Sequence, residues 1–149
     1  MTEIRPYIGY GEINFNMTLT DVKTLLKQKR QHFRHDHRPN KGDDPEVAWD
    51  IIRIDNSINI YFAKSKMWKI EFENSFIGRL KNGISLGTPI KEALRIDPTL
   101  EYNEWDEQFE SQLGYWLVDN IETGAIVAIA IFIKEVENDE LFYSYNWCE

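Results

Sequence analysis

Two stretches of the chain spell the same pattern, and an internal repeat constrains a fold more than any single motif. Gly11-x-Ile13 leads to Met17-Thr18-Leu19 and then Thr20-Asp21-Val22-Lys23-x-Leu25-Leu26. Gly78-x-Leu80 leads to Ile84-Ser85-Leu86 and then Thr88-Pro89-Ile90-Lys91-x-Ala93-Leu94. The offset is 67 up to the leucine and 68 beyond it, because Gly87 is an extra residue. One structural unit used twice in 149 residues leaves little room for a large catalytic scaffold.

Each copy reads as a helix followed by antiparallel strands. Thr20 is the expected N-cap of the first helix, with Asp21 in its first turn. Leu19, Val22, Leu25, Leu26 and Phe33 approximate its apolar stripe. In the second copy Thr88 is the expected cap and Pro89 the first helical residue, where its missing N–H costs nothing. Asp97-Pro98 ends that helix, since a residue before proline disfavours helical geometry.

Strands are expected at 50–54, 58–62 and 67–72, the last with Trp68, Ile70 and Phe72 on one face by alternation. In the second copy they are expected at 104–109, 113–118 and 125–133. The last of these has no polar residue, so it belongs near the middle of a sheet, covered on both faces. His32 to Glu46 is polar, with Pro39, Gly42 and Pro45, and reads as a long loop. The fold expected is α+β and a single domain. It has two tandem helix-plus-antiparallel-hairpin repeats, about 8–73 and 76–133, forming one sheet with both helices on one face. An extra strand at 141–147 finishes the chain.

Charge divides the chain unevenly. The net charge is −8, but residues 97–149 hold thirteen acids and one base, Lys134, while residues 1–96 carry a net positive charge. An acidic half repels nucleic acid and speeds encounter with basic partners, and it also keeps a protein soluble. The single cysteine, Cys148, excludes an intrachain disulfide and suits a reducing compartment. The first sixteen residues lack the apolar run of a secretory signal, and the longest apolar run, nine residues, is too short for a membrane helix of about 20 residues. A cytoplasmic location without membrane contact is the expectation.

Three clusters stand out. Glu101, Glu104, Asp106, Glu107 and Glu110 interleave with Tyr102, Trp105 and Phe109. Paired carboxylates serve acid–base catalysis, but these are evenly spread, with no nucleophile, basic clamp or metal ligand beside them. Acids among aromatics suit recognition, in which rigid rings anchor and charges steer a basic target. They equally suit an edge strand kept soluble by charge. Glu101, Glu104, Trp105, Asp106, Glu107 and Glu110 are the expected partner-contacting residues.

His32, His35 and His37, with Asp36 among them, are the second cluster. Imidazole and carboxylate together bind divalent metals. His35 and His37 would diverge on a helix, however, and Arg34 and Arg38 between them repel a cation, so no metal ligand set and no cofactor is expected. A small metal-dependent enzyme built on these histidines is the competing reading. The third cluster, Lys23, Lys27, Lys29, Arg30, Arg34, Arg38 and Lys41, reads as a solvated face, as a phosphate-contacting stretch, or as a complement to the acidic half. Tyr143, Tyr145 and Trp147 alternate on one face of the last expected strand, as core or as a pairing surface for a structural adaptor. None of the common hydrolase, nucleotide-binding or zinc-protease signatures occurs.

The repeated Gly-x-Ile/Leu, Met/Ile-Thr/Ser-Leu and capped Val/Ile-Lys-x-x-Leu pattern, followed by a hairpin, resembles the tandem α/β repeat of β-lactamase inhibitor proteins. It is also similar to that of small outer-membrane assembly lipoproteins, whose signal sequence and lipobox cysteine are missing here. In the second half, Gly114-Tyr115-x-Leu117, Thr123-Gly124-x-Ile126 and Ile129-x-Ile131-Phe132 look like small immunity proteins of bacterial polymorphic-toxin systems, including contact-dependent growth inhibition. The resemblance covers most of residues 8–133, is largely apolar, and carries no catalytic residue. It implies a non-enzymatic protein that binds the toxic domain of a cognate effector, often a nuclease, in a 1:1 complex.

Overall fold

The computed structural model describes residues 3–38 and 49–137. Twelve strands and two α-helices follow one another in that span. They are β1 (Glu3–Arg5), β2 (Gly9–Tyr10), β3 (Ile13–Asn14), α1 (Leu19–Gln28), β4 (Arg34–Arg38), β5 (Trp49–Ile54), β6 (Ile58–Ala63) and β7 (Lys66–Glu73). Next come β8 (Arg79–Leu80), α2 (Ile90–Ile96), β9 (Glu101–Asn103), β10 (Gln108–Glu110), β11 (Tyr115–Asp119) and β12 (Ile126–Phe132), before a 3₁₀ helix at Lys134–Glu137. The expected strand at 141–147, with Tyr143, Tyr145 and Trp147, lies outside the described residues.

An α+β fold is what the elements form, but not with one sheet. Eight strands pair in the order β4-β5-β6-β7-β12-β11-β10-β9, every neighbour antiparallel. A separate four-stranded sheet has the order β3-β2-β1-β8, with β1 parallel to β8. The two Gly-led segments that open the sequence repeat thus supply β3 and β8 to this small sheet. Ile13 and Leu80 are buried there, and pairing of β3 with β2 and of β8 with β1 satisfies backbone groups that so short a segment cannot satisfy alone.

The apolar run becomes β12, fifth of the eight strands. Ile129 and Ile131 join Ile52, Ile60, Ile70, Phe72 and Leu117 in one core cluster. Val22 and Leu26 of α1 and Ala93 of α2 enter the same cluster, as do Ile4, Ile13 and Leu80 of the small sheet. Both helices and the small sheet therefore cover the same face of the large sheet.

The helix ends differ from expectation. Thr18, not Thr20, caps α1: its Oγ1 accepts from Asp21 N–H at 3.1 Å, and its own N–H donates to Asp21 Oδ2 at 3.0 Å. This reciprocal pair needs three-residue spacing, which Thr18 and Asp21 have and Thr20 and Asp21 do not. The helix stops before Phe33 because Arg30 adopts φ 55° and Gln31 N–H donates to Leu26 C=O at 2.9 Å. That is the closing geometry usually built on glycine. At α2 the cap is Pro89 itself, without a side-chain acceptor. The Thr88 hydroxyl instead accepts from Ser85 N–H at 3.1 Å.

Two β-bulges re-aim side chains. Tyr61 pairs with Lys69 and Phe62 with Met67, leaving Trp68 as the extra residue. Simple alternation places Trp68 beside Ile70 and Phe72. The bulge turns it instead to the opposite face, where it clusters with Trp49, Tyr61 and Ile133. In β12, Val127 is the extra residue between pairs Val118–Ala128 and Asp119–Ile126, and it is exposed while Ile126 is buried.

Candidate functional site

The face of the large sheet away from the helices carries mixed chemistry. Register places Trp116, Glu110 and Glu101 side by side on β11, β10 and β9. Trp116 also packs on Phe132 at 4.4 Å between ring centroids. Towards the other edge, Trp49, Trp68 and Tyr61 form a ring cluster with centroids 5.1 to 6.4 Å apart. Lys69 Nζ lies 4.2 Å from the Tyr61 ring centroid and 5.2 Å from that of Trp68. Burial lowers the Lys69 pKa and the Glu71 charge opposes that fall, while burial also pushes the Tyr61 phenol up to about 12. Asn59, buried beneath the face, donates through Nδ2 to both Glu71 and Glu73 at 3.1 Å.

A groove of about 700 Å³ runs over this face, with Trp49, Trp68, Trp116 and Phe132 on its walls and Glu101 and Glu110 at its acidic end. The buried indole N–H of Trp49 finds no acceptor among the described residues. At the groove's margin Tyr7 packs edge-on against Phe132 at 6.2 Å and donates its hydroxyl to Glu137 Oε1. Burial and this acceptor raise the Tyr7 pKa. Gly114 permits that seat: at φ 96° a Cβ there would stand 2.5 Å from Tyr7 Cζ.

Of the expected contact residues Glu101, Asp106 and Glu110 line the groove, and the six do not form a continuous strand. Glu104, Trp105, Asp106 and Glu107 form the turn between β9 and β10, where the expectation was a strand over 104–109. Asn103 explains the difference. Its Oδ1 accepts from the N–H groups of Trp105 and Asp106 at 2.9 and 3.2 Å, and its Nδ2 donates to Asp106 Oδ2 and Glu110 Oε2 at 3.1 Å. An Asx turn of this kind bends the chain at once, and Glu107 completes it at φ 52°. Trp105 is left 96% exposed at the tip. Among the described residues no Lys, Arg or His forms an ion pair with Glu101, Glu104, Asp106, Glu107 or Glu110.

No protein-family model matches this chain, and no match was found among curated proteins or solved structures. The reading of the site therefore rests on its own residues.

The histidine segment is β4, an edge strand, where a loop was expected; Pro39 to Glu46 lie outside the described residues. On a strand, residues two apart share a face. His35 Nε2 and His37 Nδ1 both reach Asp50 Oδ1, at 2.7 and 2.9 Å, while Arg34, Asp36 and Arg38 take the other face. Burial works to raise the Asp50 pKa, but the hydrogen bonds from His37 and His35 outweigh it and hold the carboxyl below its usual range. His32 precedes the strand and stays apart. Among the described residues no group of three or more His, Cys, Asp or Glu is arranged to hold a metal ion.

The basic stretch is likewise divided. Lys29 pairs with Glu12. Asp36 accepts from Arg53 Nε at 2.7 Å and from Arg34 Nε at 3.2 Å, and these contacts, Arg53 first, lower its pKa.

Sequence reasoning missed a buried polar cluster behind the acidic hairpin. Asp97 accepts from Ser111 Oγ and Tyr115 Oη at 2.5 Å, from Thr99 Oγ1 at 2.6 Å and from Thr99 N–H at 3.0 Å. Burial alone would raise its pKa; the donors from Ser111, Thr99 and Tyr115 bring it below the ordinary value. Burial and the same bond push the Tyr115 phenol up to about 12. This cluster ties the end of α2 to β11 and fixes the base on which β9 and β10 stand. Among the described residues no helix is long and apolar enough to cross a membrane.

Proposed function

We propose that this protein is a non-enzymatic, cytoplasmic immunity protein that binds the toxic domain of a cognate effector, a nuclease, in a 1:1 complex. The observation that carries the reading is the β9–β10 hairpin. It presents a nearly fully exposed Trp105 between Glu104, Asp106 and Glu107, with no cation paired to these acids among the described residues. An exposed indole is costly to leave in water and is a favoured anchor at protein interfaces. Unpaired carboxylates around it raise the rate of encounter with a basic surface. A nuclease must itself attract a polyanion, so an acidic inhibitor uses the same field.

A tandem arrangement of two helix-plus-hairpin units belongs to the same proposal. Two correspondences support it. The helix cap bridges the start of a hairpin strand in each half, Thr18 to Lys66 and Pro89 to Ala125. Each half also places a bulge near the start of its last strand, at Trp68 and at Val127. The caps lie 71 residues apart, so the helices are offset by three more residues than the sequence alignment gives.

The test is titration against the C-terminal domain of the protein encoded immediately upstream. Tight 1:1 binding that abolishes that domain's activity is expected. Absence of binding at high protein concentration would remove the immunity reading.

A further inference from the structure

The two halves of the face away from α1 and α2 share a chemistry but differ in one component. On the β6–β7 side, Tyr61 and Trp68 stand beside Glu71, and the chain supplies its own cation, Lys69, over both rings. On the β11–β10–β9 side, Trp116 and Phe132 stand beside Glu110, and Glu110 directly faces Glu101 across the strands. Like charges opposite one another in a sheet are destabilising. Asn103 and Gln108 donate amide hydrogen bonds to Glu110 at 3.1 and 2.8 Å, but amides do not cancel its charge. No described Lys, Arg or His pairs with either glutamate, and outside the described residues Lys41 is the one Lys, Arg or His in the sequence.

We propose that the acidic end of the groove is a receptor for an arginine side chain of the partner protein, stacked on Trp116 and paired with Glu110 and Glu101. The inference deepens the immunity reading and rests on it for the partner's identity. A guanidinium suits the place because it stacks flat on an indole and pairs with a carboxylate through two parallel hydrogen bonds. The groove, about 700 Å³, has room for such a side chain. Trp105 on the neighbouring turn then contacts the partner beside the inserted arginine, so the anchor and the two glutamates of the receptor lie on one hairpin.

The probe is a hexa-arginine peptide titrated into the full chain, followed by the assigned indole N–H resonance of Trp116, with a hexa-citrulline peptide as the uncharged control. The arginine peptide is expected to move that resonance and the citrulline peptide to leave it in place. The double variant Glu101→Gln, Glu110→Gln should bind the arginine peptide about tenfold more weakly. Glu92→Gln with Glu122→Gln, which removes the same charge elsewhere on the surface, should bind it as the parent does.

An unmoved Trp116 resonance would overturn the proposal, as would equal weakening in both variants, which is general charge attraction. A shift that follows protein concentration without peptide would assign the groove to a second copy, with the same consequence. The peptide result is independent of the toxin titration. Peptide binding without toxin capture would refute the immunity reading and keep the receptor, and the converse would keep immunity and discard the receptor.

Discussion

The two edges of the eight-stranded sheet treat their carboxylates in opposite ways. At the β4–β5 edge each acid has a partner from within the chain: Asp36 lies between Arg34 and Arg53, and Asp50 is hydrogen-bonded to both His35 and His37. At the β9–β10 edge the acids meet amides and no cation among the described residues. An exposed sheet edge invites unwanted pairing, and charge is a common defence. The first edge sets each acid against an arginine or a histidine of the chain itself, so neither carboxylate is left without a partner. The second leaves a negative field that extends over about a Debye length of 8 Å at physiological ionic strength. Only the second offers a basic partner carboxylates that no described cation already holds.

Asp97 gives the sharpest test, because it satisfies a carboxylate without a cation in the interior rather than at an edge. Asp97→Ala orphans the buried donors of Ser111, Thr99 and Tyr115 and should cost about 3 kcal/mol in urea unfolding. A cost below about 1 kcal/mol would mean that the acidic edge does not depend on this base. Asp50→Asn at the β4–β5 edge should cost less, about 1 kcal/mol, since the carboxylate is partly solvated and an amide oxygen keeps one acceptor.

The two aspartates also set the acid limb of stability. Both folded pKa values are lowered. Their stabilisation is therefore present above the unfolded value of about 3.9 and is lost as pH falls through the lower folded values. Urea midpoints measured as the pH is lowered from about 5 should fall less steeply in Asp97→Asn than in the parent. An unchanged slope would contradict the assignment.

The smallest effects on stability belong to the acidic turn. Glu104→Lys with Glu107→Lys should leave stability within about 0.5 kcal/mol, yet slow association with the toxin domain at low salt by about tenfold and flatten its salt dependence. Trp105→Ala should be equally silent in unfolding and weaken binding by about 2 kcal/mol. If binding is unaffected by either change, the contact surface lies away from this hairpin.

Much of the fold was legible because it follows from local pattern. The apolar run at 125–133 had to be central, and β12 is. Alternation located β6, and Asp97-Pro98 ended α2 where expected. Errors arose where a single side chain redirected the backbone. Asn103 converted an expected strand into a turn, Arg30 closed a helix without glycine, and a bulge moved Trp68 to the other face. The acidic hairpin was found through its composition. The groove was not, because Trp116 and Phe132 sit in strands whose neighbours are also apolar, and such runs do not reveal which residues face away from the helices.

The sequence by itself determined the α+β class, the central apolar strand and the division of charge, because hydrophobic period and net charge are properties of the chain. Only the tertiary structure decided that two sheets form, that His35 and His37 converge on Asp50, and that Glu101 meets Glu110 beside Trp116. These are matters of strand register, and register is fixed by pairing between segments distant in the chain, where a single inserted residue sends every following side chain to the other face.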